Sequence, residues 1–176
     1  MENAQVGIIM GSDSDLTVMK AAADVLEAEF GIASSVTALS AHRAPEEVAA
    51  YARTAGEQGL KVIIAGAGVA AHLPGVIAAF TPLPVIGVPI KSSATAGIDS
   101  LFAIAQMPPG VPVATVAING AKNAGILAAE MIGTGDAAVR EKVMAYKEKM
   151  RDEVVGKAEK MQEYGFKKYM EENGLA

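Results

Sequence analysis

Five times along the chain, a short apolar run gives way to a longer stretch whose apolar residues recur every three or four positions. The first run, Gln5–Met10, stops at Gly11 and predicts strand one. Asp13–Phe30 follows, with Leu16, Met19, Ala23, Leu26 and Phe30 at helical spacing. Ser12 or Asp13 can cap that helix, and Gly31 is placed to end it. Ile32–Leu39 reads as strand two, with β-branched Ile32, Val36 and Thr37. Ala44–Gln58 reads as a helix, with Pro45 in its first turn and Gly59 past its end. Lys61–Ala65, Pro84–Val88 and Val111–Ile118 read as strands three, four and five. Ala71–Ala79, Ala96–Gln106 and Ala121–Ile132 read as the helices that follow them.

Alternation of this kind with short connections predicts an α/β domain: a parallel, doubly wound, three-layer sheet with right-handed crossovers. The expected strand order is 2-1-3-4-5, the flavodoxin-like arrangement, which puts ligands near the ends of strands one and three, where the order reverses. From Asp136 the pattern changes. Only Lys91 and Asp99 are charged between Val62 and Ala121, whereas the chain beyond Asp136 is dense in Lys, Arg and Glu. There Val139, Val143, Tyr146, Met150, Val154, Ala158 and Met161 form one apolar stripe on a long amphipathic helix that Gly156 is expected to interrupt. Residues 1–135 are thus expected to form the catalytic domain, and 136–176 a helical tail of that same domain. The tail either packs on its own domain or lies against another subunit. The weakly charged middle leaves more apolar surface than five helices easily cover, which favours some exchange of helices between subunits.

Composition narrows the classes. A net charge of −5 and a pI near 5.1 argue against a nucleic-acid surface, which wants clustered Lys and Arg. Zero cysteines removes disulfides and thiolate metal sites and fits a reducing cytoplasm, and no basic segment followed by an apolar one opens the chain as a secretory signal would. Val62–Ile90 carries no Asp, Glu, Lys or Arg and is long enough to suggest a membrane helix. Pro74, Pro82, Pro84 and Pro89, with Gly66, Gly68, Gly75 and Gly87, break it up, so it reads instead as two buried strands around a buried helix, with no membrane partner.

The chemistry-bearing residues fall in the turns after strands. Gly11–Asp15 joins strand one to helix one, where serine hydroxyls and free N–H groups make an anion site and Asp13 or Asp15 could accept from ribose hydroxyls. Plain helix capping accounts for the same residues equally well. The paired acids also suggest a response-regulator receiver, but no phosphoacceptor Asp follows strand three and no Lys directly follows strand five. Gly66–Ala71 matches the loose dinucleotide fingerprint, but at the third strand and with no acidic residue closing the next one. Its glycines still offer close backbone approach to a ligand. Ser40–Pro45 holds His42, one of two histidines, between Ser40 and Arg43, a hydroxyl and a fork of donors suited to phosphate. His42 is the side chain there suited to acid–base work near neutral pH. His72, in Ala70–Gly75, is placed to orient the ligand or shape the pocket. A metal would need carboxylates such as Asp13 or Asp15, whose spacing gives no sign of one.

Four ordered motifs resemble a known family: Met10–Asp15, Ser40–Pro45, Ala65–Gly75, and Asp99–Leu101 followed by Gln106–Pro108. They are similar to those of the N5-carboxyaminoimidazole ribonucleotide mutases of purine biosynthesis, over roughly Val6 to Met131. The resemblance implies a flavodoxin-like core, a homo-octamer with exchanged C-terminal helices, and no metal or organic cofactor. It implies a small ribonucleotide substrate bound by Ser12, Asp15, Ser40, Arg43 and Gly68, with His42 as the catalytic acid and base and His72 matching the family's second histidine. A sister group that carboxylates aminoimidazole ribonucleotide directly with CO2 typically has Lys where Arg43 stands and lacks the Ala71–Gly75 segment. Departures from the mutase pattern occur at Val69, where a second glycine is usual, at Lys91–Gly97, in the short Asn119–Ala124 loop and in the tail beyond about Val154. The direct carboxylase is the alternative within enzymes. A nucleotide-binding module without catalysis, in which His42 would be dispensable, is the alternative outside them.

Overall fold

The structure, a computed structural model, describes residues 3–175. Five parallel strands form one sheet: β1 (Val6–Met10), β2 (Ser34–Ala38), β3 (Val62–Gly68), β4 (Val85–Ile90) and β5 (Ala114–Thr115). Their order is β2-β1-β3-β4-β5, the flavodoxin-like order that the alternation predicts. Pairing is in register from Val6↔Ser34 to Met10↔Ala38 on one side of β1, and from Val6↔Val62 to Met10↔Gly66 on the other.

β1, β3 and β4 are buried on both faces, so each reads as a near-continuous apolar run, whereas the edge strands β2 and β5 are only partly buried. Alternate residues still go to opposite layers. Val6, Ile8, Met10, Val62, Ile64, Ile86 and Val88 join one core with the helices α1 (Leu16–Val25) and α5 (Ala121–Gly133). Ile9, Ile63, Ala65, Ala67 and Val85 join the other, beneath α2 (Pro45–Thr54), α3 (Leu73–Ala78) and α4 (Ile98–Ala105). The uncharged stretch Val62–Ile90 is therefore β3, α3 and β4, and none of the described helices is long and apolar enough to cross a membrane.

Helix one begins as a 3-10 turn at Asp13–Asp15 and ends as a π turn at Leu26–Phe30. Gly31, at φ +64°, closes it with its N–H on the Glu27 carbonyl, and Ile32 N–H reaches the Leu26 carbonyl. That is the left-handed glycine stop expected from the sequence.

Three expectations are corrected. Strand three runs on through the glycines to Gly68, paired to β4 at Gly66↔Val88 and Gly68↔Ile90. A Cβ at Gly66 would collide with Met19, so this glycine admits the helix above rather than a ligand. Strand five shrinks from Val111–Ile118 to Ala114–Thr115; beyond it the pairing is irregular, with Val116 N–H on the Gly87 carbonyl and Asn119 N–H on that of Pro89. Lastly, Gly156 does not interrupt the tail. α6 (Ala137–Tyr164) is one helix of 28 residues, broken at Gly165, φ +76°, before α7 (Phe166–Glu172). Asp136 caps α6, accepting from the N–H groups of Ala138 and Val139. Val139, Val143 and Tyr146 bury themselves against α5 and the π turn Leu26–Phe30, and Tyr146 meets Phe30 edge to face at 5.4 Å.

Candidate active site

The sheet order puts the ends of β2, β1 and β3 side by side, and the loops leaving those ends enclose a cleft of about 480 Å³. Ser12, Asp15, Ser40, His42, Arg43 and Gly68 all line it. So do Gly11, Ser14, Ala41, Ala67, Val69, Ala70 and Leu73. Gly66 and Ala71, at the two ends of the glycine-rich stretch, are buried and do not line the cleft.

The first loop is held by its own serines. Ser12 Oγ accepts from Ser14 N–H at 3.4 Å and from Ser14 Oγ at 2.9 Å, and donates to Asp13 Oδ1 at 3.2 Å. Ser12 is thus a cap, as the bland reading of this motif has it, and it also faces the cleft. Asp15 is half-buried, and that burial pushes its carboxyl above the usual range, against the opposing hydrogen bond from Ser14. Asp13 is exposed and faces a smaller hollow on the far side of Arg43. Arg43 links two loops: its Nη2 donates to the Gly11 carbonyl at 3.3 Å. The guanidinium is exposed, and its remaining N–H groups make no hydrogen bond among the described residues.

His72 does not line the cleft. It stands behind His42, with His42 Nε2 2.9 Å from His72 Nδ1 and the rings near perpendicular, 5.1 Å apart between centroids. Such a bond needs one N–H and one lone pair, so it survives unless both rings are protonated. It fixes the plane of the His42 ring and couples its proton to a second imidazole. Thirty residues separate the two histidines, and only the β2-β1-β3 order makes them neighbours.

A phosphate-ready arginine, a half-buried acid, a histidine couple and an apolar corner, all at a switch point, describe a site for a small anionic nucleotide with proton transfer. The AIR carboxylase family matches residues 5–153. The chain belongs to the AIR carboxylase family. An N5-carboxyaminoimidazole ribonucleotide mutase of Thermotoga maritima is 60% identical over 166 residues, covering 94% of this chain and 96% of that protein. One from Pyrococcus horikoshii is 56% identical over 171 residues, 97% of this chain and 96% of that protein. The phosphoribosylaminoimidazole carboxylase of Saccharomyces cerevisiae is 55% identical over 166 residues, 94% of this chain but only 29% of that longer protein. Among solved structures, Treponema denticola PurE superposes with a TM-score of 0.80 at 28% identity, over 89% of this chain and 97% of that one. The AIR carboxylase family match ends inside α6, so the last turns of that helix and α7 lie outside it.

Proposed function

We propose that this chain is an isomerase of de novo purine biosynthesis that moves the carboxylate of N5-carboxyaminoimidazole ribonucleotide from N5 to C4, giving 4-carboxy-5-aminoimidazole ribonucleotide. The observation that carries the chemistry is His42, set in the cleft beside Arg43 and held at 2.9 Å by His72. The names of the 50–60% identical relatives support the substrate.

Arg43 and the hydroxyls of Ser12 and Ser40 take the phosphate, and Asp15 takes a ribose hydroxyl. Protonated His42 delivers its proton to N5, the N5–carboxyl bond breaks, and CO2 is released. Ala67, Gly68 and Ala70 hold the CO2 next to the ring. C4 attacks its carbon, and His42, now neutral, removes the C4 proton. One proton leaves and returns to the same ring, so the reaction balances as an isomerisation. Keeping CO2 in the cleft makes the second step intramolecular. In this reading residues 1–135 form the catalytic core and 136–176 a tail shared between subunits of a homo-octamer. The exposed apolar stripe on α6 supports that assembly, and the enzyme is cytoplasmic, like the pathway it serves.

The test is turnover of the carbamate substrate in the presence of labelled bicarbonate. The wild type should convert the carbamate with little label entering product, and His42→Asn should lower turnover by roughly 10²–10⁴-fold while retaining substrate binding. Near wild-type turnover in the variant would remove His42 from the mechanism. A second reading comes from the relatives named phosphoribosylaminoimidazole carboxylase at 54–55% identity. Full incorporation of label with the carbamate ignored would select it.

A further inference from the structure

The fourth sequence motif, Asp99–Leu101 followed by Gln106–Pro108, stands apart from the lining of the cleft. Its Met107 leads back to the site by another route. Gln106 N–H closes the last turn of α4 on the Phe102 carbonyl at 3.2 Å, and Val111 N–H reaches the Pro108 carbonyl at 3.2 Å. Met107 stands between these two turns, and as the residue before a proline its backbone is held towards extended conformations. Its half-buried side chain lies over α3: a Cβ at Gly75 would be 2.9 Å from Met107 Sδ and 3.0 Å from its Cε.

α3 depends on such cover. It is six residues long, too short to be stable by itself, so packing must hold it. Its start carries part of the site, with His72 at the N-cap and Leu73 on the lining of the cleft. The approach from β3 gives little support. The chain bends at Val69, φ +56°, and His72 N–H bonds the Ala70 carbonyl at 2.9 Å. The exposed His72 ring has His42 as its one hydrogen-bond partner among the described residues. What fixes the first turn is Pro74, 3.6 Å from where a Cβ at Gly87 of β4 would stand, and the thioether on Gly75. We propose, resting on the mutase reading, that Met107 is a positioning residue: its thioether, seated on Gly75, holds the first turn of α3 so that His72 stays bonded to the His42 ring. Met107 acts through α3 alone. Its loss should loosen the ring that carries the proton, while Ser12, Asp15, Ser40 and Arg43, on the loops after β1 and β2, still bind the ribonucleotide.

The experiment compares the full-length wild type with Met107→Ala, Met107→Leu and Gly75→Ala. Turnover of the carbamate substrate gives kcat and KM, and nitrogen-15 spectra of the histidine rings in the ligand-free protein read the His42–His72 bond. Met107→Ala should keep the circular dichroism spectrum and the KM, and lose the ring signature of the bonded pair. Its kcat should fall about ten- to a hundredfold, the scale set by misplacing a catalytic group by up to about 1 Å. Met107→Leu keeps the apolar volume and should stay near wild type in both readouts. Gly75→Ala pushes the thioether off its seat without removing it and should reproduce Met107→Ala. An intact ring signature or a wild-type kcat in Met107→Ala would overturn the positioning role. A loss in Met107→Leu as large as in Met107→Ala would overturn it too. If Met107→Ala does not fold, Gly75→Ala takes its place, and the same two outcomes there overturn the role. A wild type that ignores the carbamate would overturn the mutase reading and not the seat, which the ring spectra test without turnover.

Discussion

Asp15 lines the cleft at a cost to the fold. Burial raises its carboxyl pKa above the ordinary value, so the folded chain binds that proton more tightly than the unfolded one. Stability then falls as pH rises from the unfolded value of 3.8 through the raised folded one, because over that interval the folded state must give up a proton it prefers to keep. At neutral pH the whole of that loss is present. Asp15→Asn should therefore melt at a higher temperature than the wild type at pH 7, and the gain should shrink as the pH is lowered below the carboxylate range. The same variant should bind the ribonucleotide more weakly, since a carboxylate acceptor for the ribose is gone. Thermal melts without ligand at pH 7 and pH 4, with calorimetry of binding, check both halves; a variant less stable at pH 7 would mean that the carboxylate's hydrogen bonds outweigh its desolvation. Most of the site was legible at this scale. Ser12, Asp15, Ser40, His42 and Arg43 sit past a strand, where the chemistry of each side chain marks it, and Gly68 is the last residue of β3. The His42–His72 bond and the left-handed Val69 were not legible. The first depends on which strands are neighbours, and the second contradicts the β-preference of the residue itself.

At the scale of elements, the small residues of α5 explain how two helices share one face of the sheet. Ala121, Ala124, Gly125, Ala128 and Ala129 are buried. A Cβ at Gly125 would lie 2.6 Å from Val25 Cγ1 and 2.8 Å from the Ala22 carbonyl oxygen. The second of these is backbone, which does not swing aside. Gly125→Ala gains about 1 kcal/mol of helix propensity but forces α1 and α5 apart at about 1–3 kcal/mol, so a net loss of up to about 2 kcal/mol is expected. Urea unfolding would show a lower midpoint at unchanged slope; a higher midpoint would mean that α1 and α5 slide apart freely. Periodicity found the five strands and the helices through α6, because the buried central strands and half-buried helices differ so plainly in pattern, but it did not separate α7. It misplaced ends where a second requirement intervened. Gly66 looked like a strand terminator and is instead room for Met19. Val111–Ile118 had the composition of a strand, yet it lies at the sheet's edge, where only Ala114 and Thr115 find regular partners. Gly156 looked like a break, yet a lone glycine costs a helix only about 1 kcal/mol, too little to stop one of 28 residues.

For the whole molecule, the tail divides into a part that packs on this core and a part that reaches past it. A helix of 28 residues is roughly 42 Å long at 1.5 Å per residue, more than this small core can cover. Its first turns are tied down: Val139, Val143 and Tyr146 are buried, Lys142 donates to the Phe30 carbonyl at 2.8 Å, and Lys149 pairs with Glu29 at 3.0 Å. Beyond that point the stripe leaves the core and meets chiefly α7, whose Tyr169 is buried. Met150 is 39% exposed, Val154 66% and Met161 42%, and Phe166 and Met170 of α7 carry apolar surface further. Ile98 and Phe102 on the outer face of α4 are exposed as well. Under the proposed homo-octamer this apolar surface is covered by other copies of the chain, with no second kind of partner required. Where along the stripe self-packing stops was not legible, since the periodicity is the same on both sides of Met150. A chain ending after Lys149 should therefore keep its sheet and cleft, with a circular dichroism spectrum that loses only helix, and should run as a smaller species than the intact chain in light scattering. Ending it before Asp136 is a harsher cut, because it also uncovers Phe30 and the outer face of α5, and should give aggregated or unfolded protein. If the chain ending after Lys149 assembled as the intact one does, the interface would have to lie on α4 and the rest of the core, and the outer half of α6 would be an arm that contributes nothing to assembly.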